Sequence, residues 1–209
     1  MKLYKYYRRA ANPTGFWGKR VLKLMNSEQH GLMPRWALDH FRIPPDASIL
    51  DVGCGSGANI QLLMQRYPQV TVTGIDHSPL AIDFAYCRNY DEIMKRCIVM
   101  ERSIESLLLS KEMFDLVTAF EAVYYWEDLG ECLARIHRVL KRGGTFLIAN
   151  QLDGDFPEHR DLERKTDNMM HVYSASELSQ LLIEAGFANI AVDRDEGNHF
   201  VCIWCQKEI

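Results

Sequence analysis

Ile49-Leu50-Asp51-Val52-Gly53-Cys54-Gly55-Ser56-Gly57 decides how this chain folds. A short apolar strand, interrupted by one carboxylate, runs into three glycines at alternate positions. Glycine there lets the backbone turn sharply and lets a ligand approach without a Cβ in the way. Residues 58–67 read as a helix that turns Ile60, Leu62, Leu63 and Met64 toward a core. A strand, a glycine turn and a helix N-terminus with free N–H groups together form a cradle for a polar ligand.

Outward from this cradle the chain alternates. Val70 to Ile75 is a β-branched strand ending at Asp76, and Ser78-Pro79 opens a helix over 79–90. Ile98-Val99-Met100 predicts a third strand and Phe114 to Ala119 a fourth. Residues 129–140 read as a helix stopped by Gly143-Gly144, with Thr145 to Ala149 as the fifth strand. After an insertion over 150–172, charged and helical in its second half, comes a helix at 175–185 closed by Gly186. Asn189 to Asp193 and His199 to Cys205 then read as two strands joined by a tight turn at Glu196-Gly197-Asn198. Before the cradle, segments 16–26 and 29–41 look helical, with a turn near Asn26-Ser27. Strands alternating with helices imply a parallel sheet covered on both faces, with ligands at the carboxyl ends of the strands.

The chemistry of the ligand can be narrowed. Asp76 lies nineteen residues after Gly57 at a strand end, where a carboxylate accepts hydrogen bonds from ribose hydroxyls. The glycines are spaced G-x-G-x-G, not the G-x-G-x-x-G of dehydrogenases, and Asp51 stands two residues before the first. A negative charge there opposes a pyrophosphate and suits an ammonium or sulfonium group. The motif 49–57 resembles the first motif of class I S-adenosylmethionine (SAM)-dependent methyltransferases. Gly74-Ile75-Asp76-His77-Ser78 resembles their second, and Phe114-Asp115-Leu116-Val117 their fourth-strand motif. Leu140-Lys141-Arg142-Gly143-Gly144 is similar to their turn before strand five, with Arg142 where proline is usual.

The resemblance, to the small bacterial members of that family, implies an α/β fold. It is a Rossmann-like doubly wound sheet of about seven strands, mostly parallel with an antiparallel last strand, plus an N-terminal helical lid. The lid is assigned to residues 1–45 and the SAM-binding unit to 46–209. The implied cofactor residues are Asp51, Gly53, Cys54, Gly55, Gly57, Asp76, His77, Ser103, Ile104 and Phe120. Asp51 would meet the methionine amino group and Asp76 the ribose, and Phe120 would lie beside the cofactor. Ser103-Ile104 would clasp the adenine in place of the usual Asp-Ala, without its carboxylate. S-adenosylhomocysteine (SAH) is the product.

Glu121-Ala122-Val123-Tyr124-Tyr125-Trp126 follows strand four, where a methyl acceptor must sit. These aromatics wall a pocket or pack under the next helix, and sequence leaves both open. Glu121, Tyr125 and His30 are the candidate catalytic residues. His30 titrates near neutrality and is placed to orient the acceptor or take its proton, or else is structural. His171 and Tyr173 are weaker candidates, and His137 reads as packing or surface. Methyl transfer is an in-line displacement that alignment alone can accelerate, so a base is optional.

Composition bounds the rest. With 209 residues, 47% of them apolar, the chain makes one domain with an added helical segment. No apolar run spans a bilayer and no signal-peptide pattern opens the chain, so a cytoplasmic location and no membrane partner are expected. The six cysteines are scattered, and buried free thiols fit them best. Cys202 and Cys205 lie three apart on a strand and so face opposite sides, which argues against a shared metal; no metal site is expected. Residues 1–23 carry seven basic side chains and no acidic one, leaving 17 basic against 28 acidic, −11, on the remainder. That head reads as a solvated helix face with its aromatics packed on the body, since the acidic remainder repels a polyanion and makes nucleic acid an improbable partner. A small-molecule acceptor is the first functional reading. The alternatives are a protein or RNA methyltransferase, a catalytically silent SAM binder, and, disfavoured by glycine spacing and Asp51, an NAD-linked oxidoreductase.

Overall fold

Three helices precede the first strand: α1 (Leu3–Ala10), α2 (Gly15–Leu24) and α3 (Glu28–Ala37). The structure, a computed structural model, describes residues 2–25 and 28–208, without the side chains of 28–30. The turn expected at Asn26-Ser27 and the side chain of His30 therefore lie outside the described residues. Helices α2 and α3 are shorter than their sequence patterns suggest.

Alternation then proceeds as β1 (Ser48–Val52), α4 (Ala58–Arg66), β2 (Thr71–Asp76), α5 (Pro79–Arg88), β3 (Cys97–Glu101), β4 (Phe114–Phe120), α6 (Leu129–Val139) and β5 (Leu140–Asn150). The chain ends with α7 (Pro157–Lys165), α8 (Ala175–Glu184), β6 (Phe187–Asp195) and β7 (Phe200–Lys207). The seven strands lie in the order β3-β2-β1-β4-β5-β7-β6. All pairs are parallel except the two that β7 makes with β5 and β6. The strand order reverses between β1 and β4, and that switch point is where such sheets bind ligands.

Successive strand residues feed opposite cores, which is why the strands are apolar throughout rather than alternating. Ile49, Val72, Leu116 and Leu147 pack with α3, α4 and α5 through Ala37, Ile60, Leu63 and Ala85. Leu50, Ile75, Val117 and Phe146 pack with α6 and α8 through Leu133, Ile136, Leu178 and Leu182. A third, smaller cluster joins the lid to the insertion: Tyr7 of α1, Tyr124, Leu152, Leu162, Met170 and Val172.

The Gly143-Gly144 pair departs from its sequence reading. Helix α6 ends at Val139, and Leu140 is already extended (φ −68°, ψ 138°) and paired with Phe114. The glycines form a bulge inside β5 rather than a helix stop. Gly143 has φ +73°, and a Cβ on Gly144 would come 2.8 Å from the Lys141 carbonyl oxygen. Among the cysteines, five are buried as expected but Cys87 is exposed. Cys202 and Cys205 of β7 enter the cores on opposite faces of the sheet, as the spacing requires. No helix among the described residues is long and apolar enough to cross a membrane.

Candidate active site

A cavity of about 420 Å³ lies over the carboxyl ends of β1, β2 and β4, with its floor formed by the glycine turn and its roof by α1, α2 and α3. It reaches from Arg102, Ser103 and Ile104 after β3 to Gln151 after β5. That is four strand spacings, roughly 20 Å.

At the β1–β3 end each glycine has a distinct reason. Gly53 has φ +74°, and a Cβ there would lie 2.8 Å from the Ala122 methyl. Gly55, at φ +52°, faces the cavity with only the Met25 Sδ near, at 3.9 Å, so a side chain would fill the space a ligand needs. Gly57 does not line the cavity. It caps α4 at φ +76° and abuts α5, where a Cβ would meet the Ala85 Cα at 2.8 Å. Its carbonyl accepts from Asn89 Nδ2 at 3.1 Å. Gly57 thus holds the turn in shape, while Gly53, Cys54 and Gly55 line the cavity.

Asp76 ties the turn to β2. Its Oδ2 accepts from the Gly55 N–H at 3.0 Å and its Oδ1 from the Ser78 N–H at 2.9 Å. Burial raises its pKa, against the lowering effect of those two donors. Asp76 and the exposed His77 both line the cavity, as do Ser103, Ile104 and Phe120. Ser103 Oγ donates to Glu105 Oε2 at 3.0 Å and accepts from the Glu105 N–H at 3.2 Å.

Asp51 is placed differently from the other residues of its motif. It is 1% exposed and lies behind the turn rather than on the cavity wall. Oδ1 accepts from Thr118 Oγ1 at 2.8 Å, and Oδ2 is buried with no hydrogen-bond partner. Burial pushes its pKa up to about 7, with the Thr118 bond opposing and Asp76 adding to the rise. A buried oxygen without a partner costs about 1–3 kcal/mol. A cationic group brought to the turn would relieve that cost and restore the carboxylate charge. The glycine cradle, the ribose-height carboxylate and this orphaned acceptor fit SAM, which joins an ammonium, a sulfonium and a nucleoside.

At the β4–β5 end, Glu121 follows directly on β4 with φ +56°. That backbone conformation costs an L-residue roughly 1–2 kcal/mol, and is kept where the surroundings over-determine it. Its Oε1 accepts from the Tyr124 hydroxyl at 3.0 Å and, closely, from the Gln151 N–H. Its Oε2 accepts from the Tyr7 hydroxyl at 3.4 Å. Burial pushes the carboxyl up to about 7, with those donors opposing. Tyr7, Tyr124 and Tyr125 are driven well above the ordinary phenol range by burial and then by Glu121, so they stay neutral donors. The Tyr125 hydroxyl donates to the Tyr7 carbonyl at 3.2 Å, and its ring lines the cavity. Both readings of the aromatic run therefore hold for different rings: Tyr124 packs beneath the lid, Tyr125 and Trp126 wall the cavity.

Of the other sequence candidates, His171 pairs with Glu163 (3.1 Å) and meets Tyr173 edge-on, and neither lines the cavity. His137 packs on Phe187. Tyr6, Tyr7, Gln151 and Met169 escaped sequence reading; they reach this site from the lid and the insertion, and no local motif marks them.

Residues 43–189 match the sequence pattern of the family described as "Methyltransferase domain". The chain is 32% identical over 162 residues to a malonyl-[acyl-carrier protein] O-methyltransferase of Geobacter sulfurreducens, a match covering 72% of this chain and 59% of that protein. The chain spans about half the length of the curated relatives it matches. In fold it is similar to the methyltransferase solved in complex with the Haloferax volcanii Trm112 methyltransferase activator (TM-score 0.78, 20% identity, 98% of each chain). It is also similar to a SAM-dependent methyltransferase of Thermotoga maritima (TM-score 0.73, 19% identity, 98% of this chain and 99% of that one). The chain belongs to the methyltransferase-domain family.

Proposed function

We propose that this enzyme methylates a small molecule whose accepting atom is a hydroxyl or amine on an apolar body, with Glu121 receiving the proton. The observation that carries this reading is Glu121, which lines the cavity with its carboxyl balanced near neutrality and held by phenol donors. A base whose pKa lies near the working pH is the efficient one.

SAM supplies a methyl group made electrophilic by its sulfonium. The chain's residues do the rest. Gly53, Cys54 and Gly55 leave room at the turn; Asp51 Oδ2 would hold the ammonium from behind it, Asp76 the ribose hydroxyls, and Ser103 with Ile104 the base. Tyr6, Met25, Met33, Tyr125 and Met169 give the remaining wall its apolar character. The roof over that wall limits water and holds the acceptor in line.

The charge of the chamber supports the choice of acceptor. Among the described residues the one lysine or arginine on the cavity wall is Arg102, at the β2–β3 end. Residues 26–30 add no lysine or arginine. A malonyl carboxylate, the group in the relatives' names, would find Glu121 instead of a guanidinium at the acceptor end. A neutral hydroxyl or an amine meets no such opposition.

The test is methyl transfer from isotope-labelled SAM into fractionated bacterial extract, run with wild type and Glu121→Gln. Alkali-stable label in a small-molecule pool, lost in the variant, is the expected result. Label confined to alkali-labile methyl esters, RNA or protein would defeat the proposal.

A further inference from the structure

The lid has an outer face that the cavity does not use. Its aromatic residues do not all pack on the body, as the sequence pattern suggests. Tyr7 is buried with Tyr4 and Tyr6 beside it, but Phe16 and Trp17 point outward, 73% and 50% exposed. Leu3 and Leu24 are exposed with them, at 56% and 42%. Trp17 sits in a shallow groove with Lys2, Lys5, Arg9 and Arg20. The Arg9 guanidinium lies 4.5 Å over the indole, and Phe16 meets the indole edge-on at 5.6 Å. Lys2, Lys5 and Arg20 meet no carboxylate among the described residues; Arg8, by contrast, pairs with Asp167 at 2.9 Å.

Large apolar side chains left in water and rimmed by one sign of charge mark a surface that meets something. We infer that α1 and α2 form a docking face for an anionic lipid surface, on which the enzyme sits without spanning the bilayer. Three features select this partner. Tryptophan, phenylalanine and leucine interleaved with lysine and arginine are the chemistry of the headgroup–acyl boundary: the rings enter, and the long cationic stems lie along apolar surface with their heads at the phosphates. The exposed Leu3, Phe16 and Leu24 have nothing to offer a phosphodiester backbone, and Trp17 already holds Arg9 on one face, which disfavours a nucleic acid. Charge also fixes the orientation. The chain after residue 23 carries −11 and is repelled by an anionic surface, so only the lid can approach it. Because the inner sides of the same helices roof the cavity, docking sets its mouth beside the lipid. The inference stands whether or not Glu121 takes the acceptor's proton.

Co-sedimentation of the whole chain with vesicles tests it. Binding to phosphatidylcholine–phosphatidylglycerol vesicles, weakened by salt and absent with phosphatidylcholine alone, is expected. Lys5→Gln and Arg20→Gln should each lower partitioning roughly fivefold, and Phe16→Ser with Trp17→Ser should abolish it. None of these four residues lines the cavity, so calorimetry with SAH should be unchanged in the variants, which checks their folding. Wild type left in the supernatant with both vesicle types overturns the proposal. So does equal binding by the Phe16/Trp17 variant, or capture by polyuridylate or polyglutamate but not by anionic vesicles.

Discussion

At the β1–β3 end of the cavity, the hydrogen bonds that shape the site join near neighbours in sequence: Asp76 reaches Ser78 two residues on and Gly55 twenty-one residues back. At the β4–β5 end, Glu121 meets Gln151 thirty residues away and Tyr7 at a separation of 114, while Tyr125 meets Tyr7 at 118. The first end is built mainly by two consecutive strand–turn–helix units, and the lid adds to its hydrogen bonds through the Pro13 carbonyl, which accepts from Ser78 Oγ at 3.0 Å. The second exists only when α1 and the insertion have docked on β4. Cofactor affinity and turnover should therefore respond to different substitutions, and each prediction below tries that separation.

Glu121→Gln should give the largest effect. It keeps the shape and most of the hydrogen bonds but removes the base, so kcat should fall by about 10²–10⁴-fold. SAH affinity by calorimetry should stay within about twofold, since no cofactor group is assigned to this carboxylate. In wild type the alkaline rise of kcat should have its midpoint near pH 7, where the carboxyl ionises; the variant should lose that limb. A loss of SAH affinity equal to the loss of kcat would join the two ends and break the comparison.

Gly57→Ala tests the cradle as a piece of structure. The φ of +76° costs an alanine roughly 1–2 kcal/mol, and a methyl 2.8 Å from the Ala85 Cα adds about 1–3 kcal/mol of overpacking. Denaturant unfolding should register the sum, and SAH affinity should fall with it. Gly55→Ala should do the reverse. Its neighbourhood is open apart from Met25, so stability should change by only the backbone cost while the ligand loses space.

Asp51→Asn should weaken SAH binding by about tenfold to a hundredfold, as expected for losing one partner of a buried charged contact. It should leave the ligand-free protein as stable as wild type or more so. The sign follows from the raised pKa. A carboxyl moved from 3.8 to about 7 binds a proton in the native state that the unfolded chain has released, so Asp51 subtracts stability as pH climbs between those values. Binding an ammonium demands the charged form and must expel that proton. SAH affinity should therefore rise by up to tenfold per pH unit below about 7 and then level off, with proton release detectable in buffers of different ionisation enthalpy. In the variant the slope should vanish. Asp76 and Cys54 share this neighbourhood, both with pKa values raised by burial, and Asp76 is expected to stay in place through its two backbone donors.

The same division explains what the sequence made legible. Alternation, glycine spacing and the Asp76 position are local, and the sheet order follows from them. Gly143-Gly144 misled because a helix stop and a strand bulge look alike until β5 is paired with β4. Asp51 is legible as part of the turn motif, but its depth behind the turn and its bond to Thr118 from another strand are not. The aromatic run 124–126 stayed open because its rings serve two purposes, and Tyr7 was invisible as a partner of Glu121 because nothing in α1 names a residue 114 positions away. Phe16 and Trp17 were expected on the body, and whether a short terminal helix turns its rings in or out is a tertiary choice between packing and cation contacts.

Ser103→Ala should give the smallest effect, and it bears on whether the adenine end is as self-contained as the turn. The Ser103 hydroxyl both donates to Glu105 Oε2 and accepts from the Glu105 N–H, so it is already engaged in shaping its own short turn, Ile104–Ser106. A hydroxyl in that position has one acceptor site left for an exocyclic amine. Removing it should cost SAH about one neutral hydrogen bond, about 1 kcal/mol or roughly fivefold in Kd. Ser103→Asp would install the carboxylate that the usual Asp-Ala pair carries, and with Glu105 beside it the two charges should repel. Its SAH affinity should therefore gain at low pH relative to high, opposite in direction to the Asp51-controlled slope. Should Ser103→Asp instead tighten binding evenly at all pH values, the turn would be free to yield to the ligand, and the adenine end would belong with the adaptable half of the cavity rather than with its rigid half.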